Sequence, residues 1–144
     1  MEYQTWLNII NDLKKGNLNQ EKLQKLQEAP INNNINDLLV PKLEELIKTR
    51  FEKIIYNITN ELGNIFSDYN YLDLILVNLK KDLTYLLAIA SLKQIPKEKQ
   101  EQLKDYLKDK SQQIYDILLN EARNIDYTGM YEITINNNKM KWSE

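Results

Sequence analysis

Cysteine and histidine, two residue types that carry much of enzyme chemistry, are missing from this chain of 144 residues. The absence of cysteine excludes disulfides, thiolate nucleophiles and thiolate zinc sites. The absence of histidine removes the side chain that most often transfers protons near neutral pH and most often binds transition metals. Ser-His-Asp catalysis, Cys-His catalysis and all histidine zinc sites are therefore excluded.

Glycine and arginine are scarce, and each scarcity argues against a particular kind of phosphate-binding site. The three glycines, Gly16, Gly63 and Gly129, stand far apart and lack the spacing of a phosphate-binding loop. Arginine occurs only as Arg50 and Arg123, although it is the residue best suited to bidentate contacts with phosphate and guanine. We expect a protein that is not an enzyme and that needs no cofactor.

Long apolar runs are also absent. The longest uncharged apolar stretch, residues 83–92, is about half as long as a bilayer crossing requires. The N-terminus lacks the basic and apolar regions of a secretory signal. A cytoplasmic location is therefore expected, and the length of the chain suits one domain.

Apolar residues recur at helical spacing along most of the chain and predict four to five helices. The first runs from Tyr3 to about Lys15, and the second is short, capped by Asn19 and ended before Pro30. Residues 31–36 are expected to form a surface connection, because three consecutive asparagines favour turns. Three longer helices follow, over residues 41–62 with Pro41 in the first turn, 72–90 and 97–124.

The last segment changes its period from helical spacing to strict alternation. Tyr131, Ile133 and Ile135 alternate with polar residues, an asparagine turn follows, and Met140 and Trp142 alternate with lysines. This pattern predicts a β-hairpin. The predicted fold is therefore mainly α, a single helical bundle of about four to five helices with a C-terminal β-hairpin. We divide the chain into a helical domain, 1–126, and a hairpin extension, 127–144.

Exposed aromatic and apolar residues near the chain ends are candidates for a protein interface. Tryptophan anchors are favoured in interfaces, and a small domain has little to cover a terminal one. An isolated hairpin is marginally stable in water, so its apolar face must pack on the helices or on another chain. The predicted interface residues are Trp6, Tyr131, Ile133, Ile135, Met140 and Trp142.

Charged side chains suggest at most a weak nucleic-acid surface. Lys93, Lys97, Lys104 and Lys108 are candidate phosphate contacts at the start of the last long helix. The chain has 19 Lys and Arg against 21 Asp and Glu, a net charge of −2, which is the reverse of the balance typical of DNA-binding proteins. Paired acids such as Glu44 and Glu45 lie among lysines, as on a solvated helix face. We therefore expect DNA contact to be weak or indirect.

The order of elements over residues 72–124 resembles a known family. An apolar helix with adjacent basic residues, 78–88, leads through Ile95-Pro96-Lys97-Glu98-Lys99 into a long charged helix bearing Leu103, Tyr106 and Leu107. This segment resembles the helical domain of archaeal GINS subunits, and the N-terminal Tyr3, Trp6 and Leu7 helix is similar to the opening of that family. The resemblance would make the hairpin a reduced form of the family's β-domain.

The resemblance implies a non-catalytic, oligomeric subunit of a DNA-replication assembly. In that role the chain would join the MCM helicase to a RecJ-related partner and would have protein subunits as its main partners. The alternative from a different class is an accessory nucleic-acid-binding helical protein, such as a primase or polymerase accessory subunit or a regulator encoded by a virus or plasmid. The lysines listed above would then make the contact.

Overall fold

A computed structural model describes residues 1–142, which form seven helices and no strand. The structure is 80% helical, so the prediction of a mainly α fold is confirmed. The helices, in chain order, are α1 (Tyr3–Lys15), α2 (Gln20–Glu28), α3 (Asn33–Asn60), α4 (Leu62–Ile65), α5 (Tyr69–Ala90), α6 (Lys97–Ile125) and α7 (Met130–Asn137).

The helices contribute to two compact units. Unit 1 comprises residues 1–52 and 84–107, and unit 2 comprises residues 53–83 and the chain from 108 onward. The long helices α3, α5 and α6 each supply residues to both units. The division into 1–126 and 127–144 stays a prediction, and its last two residues lie outside the described part of the chain.

Unit 1 encloses a core of large side chains, with buried residues from every helix that contributes to it. Three polar side chains also donate hydrogen bonds to backbone carbonyls near the ends of α1 and α2. We call these bonds the backbone clasps, and they join Arg50 to Gly16 (2.7 Å), Tyr85 to Asn19 (2.6 Å) and Gln94 to Ala29 (3.0 Å). The carbonyls of Gly16 and Ala29 follow helix ends, where backbone groups lack helical partners, whereas the Asn19 carbonyl also accepts the amide of Leu23. The three bonds fix the connections that flank α2.

The start of α3 differs from the sequence prediction. The helix begins at Asn33, because the side chain of Asn32 accepts a hydrogen bond from the amide of Asn34 (3.0 Å). Pro41 therefore lies inside the helix rather than in its first turn. The carbonyl four residues earlier, at Asp37, loses its helical partner, but both positions are exposed and water can reach the carbonyl.

The predicted β-hairpin is wrong, because residues 130–137 form helix α7 and no strand occurs among residues 1–142. In a strand Tyr131, Ile133 and Ile135 would share one face. In the helix Ile135 is fully buried and Ile133 is exposed. Alternating β-branched residues favour strands only where a sheet is available to receive them, and here the chain packs against helices instead. The asparagine run that was expected to turn the hairpin ends the helix.

Candidate interaction surface

Three aromatic side chains hold the inner face of α7 within unit 2. The ring of Tyr131 meets that of Phe66 edge-on, with centroids 5.3 Å apart, and stacks on that of Tyr69 at 5.8 Å. The Tyr131 hydroxyl donates to the Phe66 carbonyl (3.3 Å), and the hydroxyls of Tyr69 and Thr134 share a short hydrogen bond. Ring contacts of this kind add stability beyond the area they bury, so α7 is attached by its inner face.

The loop before α7 is organised by the carboxylate of Asp126. This group accepts hydrogen bonds from the amides of Tyr131 (2.7 Å) and Thr128 (3.1 Å) and from the Thr128 hydroxyl. The hydrogen bond from the Thr128 hydroxyl, followed by that from the Tyr131 amide, holds the pKa of Asp126 below its usual value. Gly129 adopts a left-handed φ of 80°, which a residue with a Cβ would adopt only with strain. These hydrogen bonds and the glycine conformation hold the loop in the turn that leads into α7.

An ion pair joins the end of α6 to α7. Nε and Nη2 of Arg123 both donate to one carboxylate oxygen of Glu132, at 3.0 and 2.7 Å. The hydrogen bond that Arg123 donates to the Glu132 carboxylate raises the pKa of Arg123. Solvent screens this exposed pair, so its main effect is to orient α7 rather than to stabilise the fold. Together with the Asp126 loop and the aromatic rings, it leaves the outer face of α7, with Met130 and Ile133, exposed among residues 1–142.

The structure exposes four large apolar side chains within nine consecutive residues, and we call them the corner surface. They are Ile125 at the end of α6, Tyr127 in the loop, and Met130 and Ile133 on α7. Tyr127 is 99% exposed, and each of the other three is about half exposed. Both carboxylates in this stretch are engaged within it or with α6: Asp126 accepts hydrogen bonds from the loop, and Glu132 pairs with Arg123.

The interface residues predicted from sequence take different positions in the structure. Trp6 and Ile135 are buried in the cores of their units, so neither offers a surface to a partner in this conformation. Tyr131 belongs to the aromatic cluster, whereas Ile133 belongs to the corner surface. The prediction that these residues bind a partner stays untested. Of the four, Ile133 has the largest exposed fraction, 55%.

The last predicted interface residues, Met140 and Trp142, lie along α6 within unit 2. The amide of Met140 donates to the hydroxyl of buried Tyr115 (2.9 Å), and the Lys139 ammonium lies 5.9 Å from the centre of the Tyr115 ring. Burial, which outweighs this hydrogen bond, raises the pKa of Tyr115. A pocket of about 180 Å³ remains beside Trp142, with Lys108 at its edge. The segment is thus attached through its backbone, and Trp142 is half buried.

The lysines proposed for nucleic-acid contact are accompanied by acids. Lys93 lies in the α5–α6 connection, while helical spacing places Lys97, Lys104 and Lys108 along one face of α6. The same face carries Glu101, whose carboxylate lies 3.8 Å from the Lys104 ammonium. Alternating charges reduce the attraction of such a face for phosphates.

The acidic pair considered in the sequence is held by lysines. Glu44 contacts the ammonium groups of Lys48 (3.0 Å) and Lys99 (2.9 Å), and Glu45 contacts Lys14 (2.8 Å). Burial raises the pKa of Glu44, but the hydrogen bonds from Lys99 and Lys48 outweigh it and leave the pKa below its usual value. Within residues 1–142 no group of three or more acidic side chains is arranged to hold a metal ion.

Sequence reasoning missed Tyr127, the most exposed residue of the corner surface, because the alternation that follows it predicted a strand. A signal was present in the run Asp126-Tyr127-Thr128-Gly129, which combines a helix-capping acid, a hydroxyl and a glycine before an acidic first turn. Comparisons with known proteins find no matching family model, no matching curated protein and no matching solved structure. No helix among the described residues is both long and apolar enough to cross a membrane.

Proposed function

We propose that this chain is a non-catalytic cytoplasmic binding protein that contacts a protein partner through the corner surface. The observation that carries this proposal is the display of Tyr127, Met130 and Ile133 on a framework fixed from three sides. Exposed apolar side chains are common singly, but a cluster of them marks a surface that another molecule covers.

Rigidity makes the corner surface suited to binding. A loop that already has its bound conformation loses little conformational entropy when a partner arrives, so more of the contact energy becomes affinity. Tyrosine supplies a large contact area with two rotatable bonds and is enriched among residues that dominate interface energies. The four exposed apolar side chains fit an apolar cleft on the partner, with Tyr127 as the inserted side chain.

The narrower form of the proposal follows the GINS resemblance of residues 72–124. In that form the chain is a structural subunit of a DNA-replication assembly, and its partners are the MCM helicase and a RecJ-related protein. This assignment rests on the sequence pattern alone. The nucleic-acid-binding alternative has less support, because acids alternate with the lysines on α6 and the net charge is −2.

Two substitutions of the corner surface test the proposal. Tyr127→Ala and Ile133→Glu each change a side chain that is exposed in the chain, so circular dichroism and thermal unfolding should remain those of the natural protein. Their binding to purified MCM and RecJ-related proteins, measured by calorimetry, should weaken about tenfold or more, as expected for central interface residues. The same variants, tagged and purified from the native cell, should lose any protein that co-purifies specifically.

Tyr56→Ala provides the matched control, because Tyr56 is also an exposed tyrosine of unit 2 but belongs to α3. It should bind like the natural chain. If the corner variants retain all binding, the corner surface is not the interface. The natural chain could bind neither MCM nor the RecJ-related protein, while a different co-purifying protein is lost on Tyr127→Ala. In that case the replication assignment is wrong, but the corner surface is still the interface.

A further inference from the structure

The outer face of α5 in unit 2 carries a second exposed apolar group. Leu74 is 52% exposed and Val77 is 39% exposed, and they lie one helical turn apart on the same face. The opposite face of the same helix supplies buried leucines to the core, so the exposure of this pair is not needed to attach α5. Neither residue belongs to the corner surface.

Opposite charges lie at equal distances on either side of Val77. Asp73 lies four residues before Val77, and Lys81 lies four residues after it, on the same exposed face. Neither Asp73 nor Lys81 forms an ion pair with another of the described residues. The face is therefore acidic at one end, apolar in the middle and basic at the other end.

We propose that a second copy of this chain covers the face, with the two α5 helices antiparallel about a two-fold axis at Val77. In this arrangement Asp73 meets the partner's Lys81, the reverse contact is made symmetrically, and Val77 meets the partner's Val77. Such self-complementarity is what a two-fold interface requires. A parallel arrangement would instead oppose Asp73 to Asp73 and Lys81 to Lys81, so the charges select the antiparallel orientation.

The contact is small, and this determines how it must be measured. It spans about eight residues, or about 12 Å of helix, which is less than a stable dimer interface normally uses. We therefore expect self-association that depends on protein concentration and weakens with salt, because the flanking pairs are exposed. The inference goes beyond the proposed function, and because it involves a different helix the two can fail separately.

Cysteine substitution of the full chain tests the register directly, since the natural chain has no cysteine to interfere. With Val77→Cys the two thiols face each other across the axis, and mild oxidation should produce a disulfide-linked dimer. Tyr56→Cys, at an exposed position of α3, is the control for random collision. The inference is supported if Val77→Cys forms the dimer much faster than the control, and it is overturned if the two rates are equal.

Charge exchange tests the orientation without a cross-link. Sedimentation of the natural chain should show a dimer at concentrations up to about 1 mM, the range in which small interfaces associate. Asp73→Lys or Lys81→Asp alone should raise the dissociation constant about tenfold, and the double exchange should restore it. The antiparallel dimer is overturned if the natural chain remains monomeric, or if the double exchange has a dissociation constant as high as that of either single variant. A different protein would then be the candidate partner for this face.

Discussion

Replacing two neighbouring isoleucines of α7, one at a time, gives the sharpest test of how the C-terminal segment folds. Ile135 is 0% exposed and Ile133 is 55% exposed, although they are only two residues apart. In a β-hairpin both would lie on one face and respond alike. In the helix Ile135→Ala removes core packing, whereas Ile133→Ala removes a side chain that is half in water.

The two expected effects on the free energy of unfolding differ in size. Truncation of a fully buried isoleucine to alanine costs about 2–5 kcal/mol, through lost burial and the cavity left behind, so we expect about 3 kcal/mol for Ile135→Ala. Ile133→Ala loses little burial and gains the higher helix propensity of alanine, so its effect should lie within about 0.5 kcal/mol and can be stabilising. In a strand the same substitution would be unfavourable, because β-branched residues are preferred there.

Urea unfolding followed by circular dichroism measures both effects. For a slope of about 1–3 kcal/mol/M, a loss of about 3 kcal/mol lowers the midpoint by about 1–3 M. Because α7 is the last helix, it can detach before the rest unfolds, and hydrogen exchange of its amides would then rise strongly in Ile135→Ala while the global midpoint moves less. Equal losses for the two variants, or a larger loss for Ile133→Ala, would refute the helical assignment and the corner surface built on it.

Further predictions concern a helix cap, two titrating groups and the lysine face. Asn19→Ala should cost about 1 kcal/mol in thermal unfolding, because the Asn19 side chain accepts the Lys22 amide hydrogen bond (3.1 Å) at the start of α2. Burial raises the pKa of Tyr85 above its ordinary value of 10.0. The contribution of neutral Tyr85 to the free energy of unfolding is therefore complete below that pH and is lost as the pH rises through the raised pKa. Tyr85→Phe should cost about 1 kcal/mol at pH 7 and make alkaline destabilisation in urea less steep. Glu44, with a pKa below 4.5, stabilises the fold above that pH and loses its effect as the pH falls. Glu44→Gln should cost only about 0.5 kcal/mol at pH 7, since solvent screens its ion pairs, and nothing in strong acid. Reversing Lys97, Lys104 and Lys108 together should leave binding to short DNA at low salt unchanged in a fluorescence anisotropy titration; a large loss would favour the nucleic-acid-binding alternative.

Helical periodicity predicted most of the long elements, because their apolar faces are wide and continuous. The first helix was predicted over Tyr3–Lys15, as observed, and Asn19 caps α2 as expected. The cap at Asn32 was missed, since its place in an asparagine run favoured a turn. The four-residue helix α4 was also missed, because one turn carries no periodic signal.

The candidate site was harder to predict than the fold, because exposure depends on neighbours distant in the chain. Trp6 was a candidate interface residue, yet unit 1 covers it. Alternation after residue 130 predicted one apolar strand face, whereas Ile135 is buried and Ile133 is exposed because of where α7 packs within unit 2. That location is tertiary information and is not carried by local spacing.

The backbone clasps of unit 1 also determine which positions can change without damage. Arg50, Tyr85 and Gln94 each bind a main-chain carbonyl, and every residue type provides one. Side chains at the acceptor positions can therefore vary as far as these bonds are concerned, although a Cβ at Gly16 would lie 3.2 Å from the Asp12 carbonyl oxygen. Related sequences should accordingly keep the three donor residues while the sequences of the acceptor loops vary. The donor residues are then better markers of common ancestry than the loop residues.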